Sequence, residues 1–145
     1  MDQPPGGCIL IRRKAIEEIG LFDENFFLWF EDVDLCYRLK KRGYSLYYLP
    51  SAEFVHAGGG SIALLSREVS ETLFFSSLLF YFRKHFSFFT VLILRIILGL
   101  DLLFRIFFTL PLAPFRRKKW RLVQRKGRIL IFCILGSRKP WDFRI

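Results

Sequence analysis

Cysteine is scarce and poorly placed for cross-linking. The chain's three, Cys8, Cys36 and Cys133, are widely spaced and odd in number. That excludes a disulfide framework and a CxxC site, and it fits a reducing compartment. The opening MDQPPGG has neither a basic n-region nor an apolar h-region, so no secretory signal peptide is expected. No internal repeat or low-complexity block interrupts the 145 residues, a length that suits one modest domain plus an appendage. Acidic residues are also in deficit, 13 against 23 basic, for a net charge of +10. The deficit is local. Residues 1–115 carry 12 basic and 12 acidic side chains, so the whole surplus sits in residues 116–145. A neutral body with a basic, aromatic-flecked tail points to an anionic partner surface, either lipid headgroups or nucleic acid.

Apolar residues are abundant instead: 52% of the chain, with 18 phenylalanines. From Gly6 to about Thr72 the pattern is that of a compact α/β unit. CILI (Cys8 to Ile11) follows Pro/Gly punctuation and reads as a short buried strand. RRKAIEEIG reads as a short helix stopped by Gly20. LFDENFFLWF is an aromatic loop. EDVDLCYRLKKRG has acids in its first turn, bases in its last and Gly43 just beyond, so every helix signal agrees. YSLYYLP then reads as a strand ending at Pro50, and EFVH as another extended piece.

From about Leu73 to Phe115 the chain turns densely apolar and helical in length. The 86–112 run is long enough to cross a bilayer, which takes about 20 residues. It nonetheless carries Arg95, Asp101 and Arg105, which a lipid-facing span tolerates poorly. Asp101 and Arg105 fall one helical turn apart, with Arg95 in the same broad sector. Basic residues flank the run on both sides, Arg83 and Lys84 before it and Arg116 to Lys119 after it. A single span would put one cluster outside, against the positive-inside tendency. An in-plane or re-entrant helix is therefore expected ahead of a true span or a soluble core helix. Cys36 and Cys133 lie in apolar settings and read as small buried hydrophobes.

Two groups of residues invite chemistry. Glu31, Asp32 and Asp34 crowd the first turn of a helix, where acids complement the dipole and cap free N–H groups. The same carboxylates would suit a general base facing a hydroxyl, with the pKa set by its acidic neighbours. His56 precedes three glycines and Ser61. It reads either as a hydrogen-bonded structural imidazole or, beside carboxylates, as part of a mixed N/O site for Mn²⁺ or Mg²⁺. Ser61 reads as a helix N-cap or a phosphate contact. HAGGGS lacks the spacing of a P-loop or a dinucleotide fingerprint.

Taken in order, GG before a hydrophobic strand, RR at a helix start, GLFDENFF, EDVDLCYR, GY, P and H-x-x-x-x-S resemble the second half of a family-2 glycosyltransferase of the GT-A fold, in the bacterial rhamnosyltransferase-like branch. The resemblance implies an inverting sugar transfer from a nucleotide-diphosphate sugar to a cell-envelope polysaccharide or lipid-linked glycan. It implies Asp32 as the base and Glu31 as the group that orients the acceptor or tunes that base. Asp34 is left as a capping or structural acid. Gly6 and Gly7 match a loop near the acceptor pocket, Trp29 a sugar platform, Ser61 a diphosphate contact, and His56 a position that holds metal or diphosphate. A divalent metal, Mg or Mn, is implied for the intact enzyme.

The organisation expected on this basis is 1–72 as the acceptor and catalytic portion of a GT-A domain, 73–115 as a membrane-associated helical region and 116–145 as a basic amphipathic tail. The family's nucleotide-binding half, ending in D-x-D, would precede Gly6. Its absence there leads to the expectation of a C-terminal portion, inactive alone: a truncated product, a frameshifted or misannotated reading frame, or one part of a split enzyme with a separate N-terminal half. The expected location is the cytoplasmic face of the bacterial cell membrane. A non-enzymatic peripheral membrane protein, docking on anionic lipid through helices and tail, is the alternative. The tail's bases around Trp120 would also fit a phosphate-tracking patch. The adjoining apolar run is better explained by lipid, so no nucleic-acid partner is expected.

Overall fold

A computed structural model describes residues 2–4, 6–55, 65–109, 123–124, 127–129 and 131. The chain parts into two compact units, Met1–Leu65 and Ser66–Ile145.

In the first unit, helix α1 (Arg13–Ile19) ends at Gly20, whose φ of 79° sits where a side chain is strained and whose N–H donates to the Ile16 carbonyl at 2.8 Å. Helix α2 (Glu31–Lys41) has the expected acids in its first turn and Arg38, Lys40 and Lys41 in its last. Gly43 follows at φ 86°. The two helices meet through Ala15, Leu35 and Leu39, all buried, with Ile11, Ile19, Tyr44 and Leu46 packed around them. Each buried leucine there contributes about 1.5–3 kcal/mol by leaving water.

The expected strands do not form among the described residues, where the regular structure is helical, and the α/β reading is corrected to that extent. A strand exists only as one side of a hydrogen-bonded ladder, and CILI, YSLYYLP and the described part of EFVH find no ladder here. Their strand-like alternation persists. Ile9, Ile11, Tyr44 and Leu46 are half-buried, whereas Leu10 is 99% exposed and Tyr47 84%.

The second unit holds helix α3 (Arg67–His85) and helix α4 (Phe88–Thr109). Ser66 caps α3 by accepting from the Val69 N–H at 3.3 Å, and Ser87 does the same for Thr90 at 3.4 Å at the start of α4. Arg83, Lys84 and His85 close α3 against the negative end of its dipole. Leu79, Leu102 and Ile129 form the buried cluster, joined by Phe75, Leu94 and Leu98. The expected Asp101–Arg105 neighbours are ion-paired, Nε to Oδ2 at 2.7 Å. Among the described residues, no helix is long and apolar enough to cross a membrane.

Candidate active site at the start of α2

Three features bring the first turn of α2 to a point. Backbone geometry is the first. Trp29 and Phe30 both adopt positive φ, 62° and 68°, a region non-glycine residues enter at a cost of about 1–3 kcal/mol each. Phe30 is the N-cap residue, yet it gives no side-chain cap, and its carbonyl accepts from the Asp34 N–H at 2.9 Å. Two successive strained residues feed the helix start. The approach is braced by an Asx turn, in which Asp23 Oδ1 accepts from the Asn25 N–H at 2.9 Å and the Phe26 N–H donates to the Asp23 carbonyl at 3.0 Å.

The second feature is how differently the three carboxylates are used. Asp34 is fully buried and fully engaged: the Arg38 Nε donates to its Oδ2 at 2.7 Å. The same guanidinium reaches across to the end of α1, with Nη1 donating to the Ile19 carbonyl at 2.6 Å and Nη2 to the Leu21 carbonyl at 2.7 Å. Asp34 is thus structural, as the sequence suggests. Asp32 Oδ1 accepts from the neighbouring Val33 N–H at 2.8 Å, a dipole-complementing contact at the helix start. Glu31 does neither. Its Oε2 is buried and finds no hydrogen-bond partner, although an orphaned buried carboxylate oxygen is costly. The ion pair accounts for Asp34 and the helix-start contact for Asp32, which leaves Glu31 unexplained.

The third feature is Gly6. A Cβ built there would come within 2.8 Å of Asp32 Oδ2 and 3.3 Å of its Cγ. Only a glycine lets this backbone lie against the carboxylate. The segment before it is tied to α2 by an ion pair between Asp2 and Lys40. Exposed Gly6 therefore borders Asp32; Gly7, also exposed, follows it in the chain, and half-buried Trp29 lies three residues before Asp32. His56 and Ser61 lie outside the described residues.

Arg38 is a residue to which the sequence reading gave no role. Its signal was present, since Asp34 and Arg38 are spaced i,i+4 on one helix face, but spacing alone does not reveal the carbonyls it also holds. The charge of Asp32 reaches Cys36 as well. Burial, with that carboxylate adding to it, pushes the Cys36 thiol above its ordinary pKa.

Metal binding is less well served. Among the described residues, no three His, Cys, Asp or Glu side chains cluster to hold an ion. Asp32-Val33-Asp34 has D-x-D spacing, but two steps along a helix turn the side chains about 200° apart, and Asp34 is closed into its pair with Arg38. The described residues alone do not fit a divalent metal.

The family described as glycosyltransferase like family 2 matches residues 2–87. The chain is 51% identical over 51 residues to an N-acetylglucosaminyl-diphospho-decaprenol L-rhamnosyltransferase of Mycobacterium tuberculosis, covering 35% of this chain and 17% of the relative. It is 28% identical over 88 residues to the low-salt glycan biosynthesis hexosyltransferase Agl10 of Haloferax volcanii, covering 59% and 26%. It is 34% identical over 56 residues to the rhamnosyltransferase WbbL of Escherichia coli, covering 39% and 21%. The chain thus spans between 17% and 26% of the length of these relatives. No solved structure matches.

Proposed function

The chain belongs to glycosyltransferase-like family 2, and on that premise we propose that its first unit is the acceptor side of a GT-A sugar transferase. In this reading Asp32 is the general base. It takes the proton from an acceptor hydroxyl, and the freed oxygen attacks the anomeric carbon of a nucleotide-diphosphate sugar. The bond from that carbon to the diphosphate breaks, and the nucleoside diphosphate leaves with the electron pair, inverting the centre. Glu31 orients the acceptor by accepting from a second hydroxyl. Gly6 and Gly7 give the acceptor room to approach, and Trp29 offers an apolar ring face to the sugar. His56 and Ser61 belong to the diphosphate side.

One observation carries this reading: the buried Oε2 of Glu31 with no partner among the described residues, one residue from a carboxylate against which the bare Gly6 backbone lies. A protein tolerates such a group where a ligand completes it. A divalent metal, Mg or Mn, belongs to the same expectation. The described residues do not supply its ligands, so no step is assigned to it. The relatives named for rhamnosyl transfer favour a deoxyhexose donor and a prenyl-diphosphate-linked acceptor for this chain too.

A segment exchange tests the proposal. Residues 2–87 of this chain replace the corresponding region of the mycobacterial relative, and transfer of rhamnose to its lipid-linked acceptor is measured. The exchanged enzyme should work. Asp32→Asn in it should cost about 10²- to 10⁴-fold in rate, whereas Glu31→Gln should act mainly through acceptor KM. An Asp32→Asn exchange as active as its parent would end the assignment.

A further inference from the structure

Helix α4 wears its apolar side outward. Eleven of its large hydrophobic side chains are exposed, among them Phe89 at 72%, Ile93, Ile96, Leu100, Phe104 and Phe107 at 71%. On a helical projection these eleven fill one continuous sector of about 200° that holds no charged residue, with half-buried Thr90 at its edge beside Phe108. Arg95, Asp101 and Arg105 all lie outside it, the first at one rim and the other two beyond the opposite rim. At about 1.5 Å per residue the strip runs roughly 30 Å. An apolar face this long is far beyond the scattered hydrophobics of an ordinary water-facing surface.

The charge around the strip identifies its occupant. Arg95 Nε is buried with no hydrogen-bond partner. Arg83, at the end of α3, is near enough to Arg95 to feel its charge, and neither enters an ion pair among the described residues. Two neighbouring arginines beside an apolar strip find no anion among the described residues. The sequence adds Lys84 next to Arg83 and Arg116 to Lys119 after the helix, within a chain of net charge +10. A second copy of the chain would bring like charges together, whereas an anionic leaflet would supply both the missing phosphates and the apolar phase.

We propose that α4 lies in the plane of an anionic phospholipid leaflet, with the Phe89–Phe107 strip in the acyl layer and Arg83 and Arg95 at phosphate depth. In-plane binding needs no helix able to cross the bilayer, and a one-sided apolar sector is what it requires. Arginine stems at the rim let the guanidinium groups reach the headgroups. This surface is independent of the sugar-transfer chemistry and would bind lipid in an Asp32→Asn chain equally well.

The test uses the full chain and vesicles of phosphatidylcholine, alone or with phosphatidylglycerol. The chain should co-sediment with the mixed vesicles and bind pure phosphatidylcholine more weakly. A photoactivatable acyl chain in those vesicles should label the peptide containing residues 92–104. Ile96→Glu combined with Leu100→Glu alters exposed positions only. It should leave far-UV circular dichroism unchanged while abolishing sedimentation and labelling. Arg83→Glu should weaken binding to the mixed vesicles by about 10-fold or more. The proposal is overturned if the wild-type chain stays in the supernatant, or if acyl label falls elsewhere. It is equally overturned if the double variant sediments like wild type. A dimer that the double variant dissolves, formed without vesicle binding, would overturn it in favour of a second copy.

Discussion

Arg38→Ala is the perturbation whose cost the structure sets most directly. Its guanidinium neutralises Asp34, a carboxylate with no side-chain exposure, while its own side chain is only 18% exposed. Truncation leaves that carboxylate charged and buried. Breaking such a pair from one side costs about 3–5 kcal/mol, mostly as the penalty on the abandoned charge. The carbonyls of Ile19 and Leu21 also lose donors, but Leu21 is exposed and water can replace the guanidinium there, so these add about 1 kcal/mol or less. Against a domain stability of about 5–15 kcal/mol, the first unit should be mostly unfolded at modest urea. Cys36 supplies a local readout, because it is 1% exposed and sits on the same helix. Pulsed thiol labelling of Cys36 across a urea series then follows this unit alone. The Arg38→Ala midpoint should fall by about 2 M or more, taking a slope of about 1–2 kcal/mol/M. Asp34→Ala with Arg38→Ala should be milder than the sum of the singles by roughly 2 kcal/mol, since no buried charge is left behind. A single-variant shift under about 0.5 M, or strict additivity in the double, would refute the reasoning.

Other outcomes follow from the same geometry. Gly6→Ala places a methyl against Asp32 Oδ2, so in the segment-exchanged enzyme it should depress sugar transfer well before it lowers stability, which should change by less than about 1 kcal/mol. A loss of stability without loss of rate would argue that Asp32 is not the group Gly6 accommodates. Exposed Cys8 should alkylate readily at mildly alkaline pH while Cys36 stays protected until the unit unfolds. Because the folded Cys36 pKa is raised, its effect on stability is absent below the ordinary thiol range of about 8.5. Stability then falls as pH rises above that range, since the unfolded thiol ionises first. Asp32→Asn should shift the onset of Cys36 ionisation downward, and an unchanged onset would show that the two groups are uncoupled.

Much of the second helix was legible in the chain. Acids before bases, a terminal glycine and an i,i+4 Asp–Arg pair act over a single turn or two, and local backbone geometry is enough to realise them. The Asp101–Arg105 pair and the stop at Gly20 were legible for the same reason. The strands were not, because a strand requires a partner ladder and an alternating run such as YSLYYLP cannot state whether one is at hand. Spacing and charge alone could not divide the labour among Glu31, Asp32 and Asp34; within the sequence, only the family resemblance did. All three satisfy the same helix-start rule, and only burial, Arg38 and the approach of Gly6 separate a structural acid, a capped acid beside open backbone and an acid left without a partner. The apolar run around Phe88–Thr109 was evident from composition alone, as was its uneasy content of charge. That its charges fall outside the apolar sector while eleven hydrophobic side chains face out was decided by α3. By packing on Leu94, Leu98 and Leu102, that helix fixed the rotation of α4, a quantity no local rule contains.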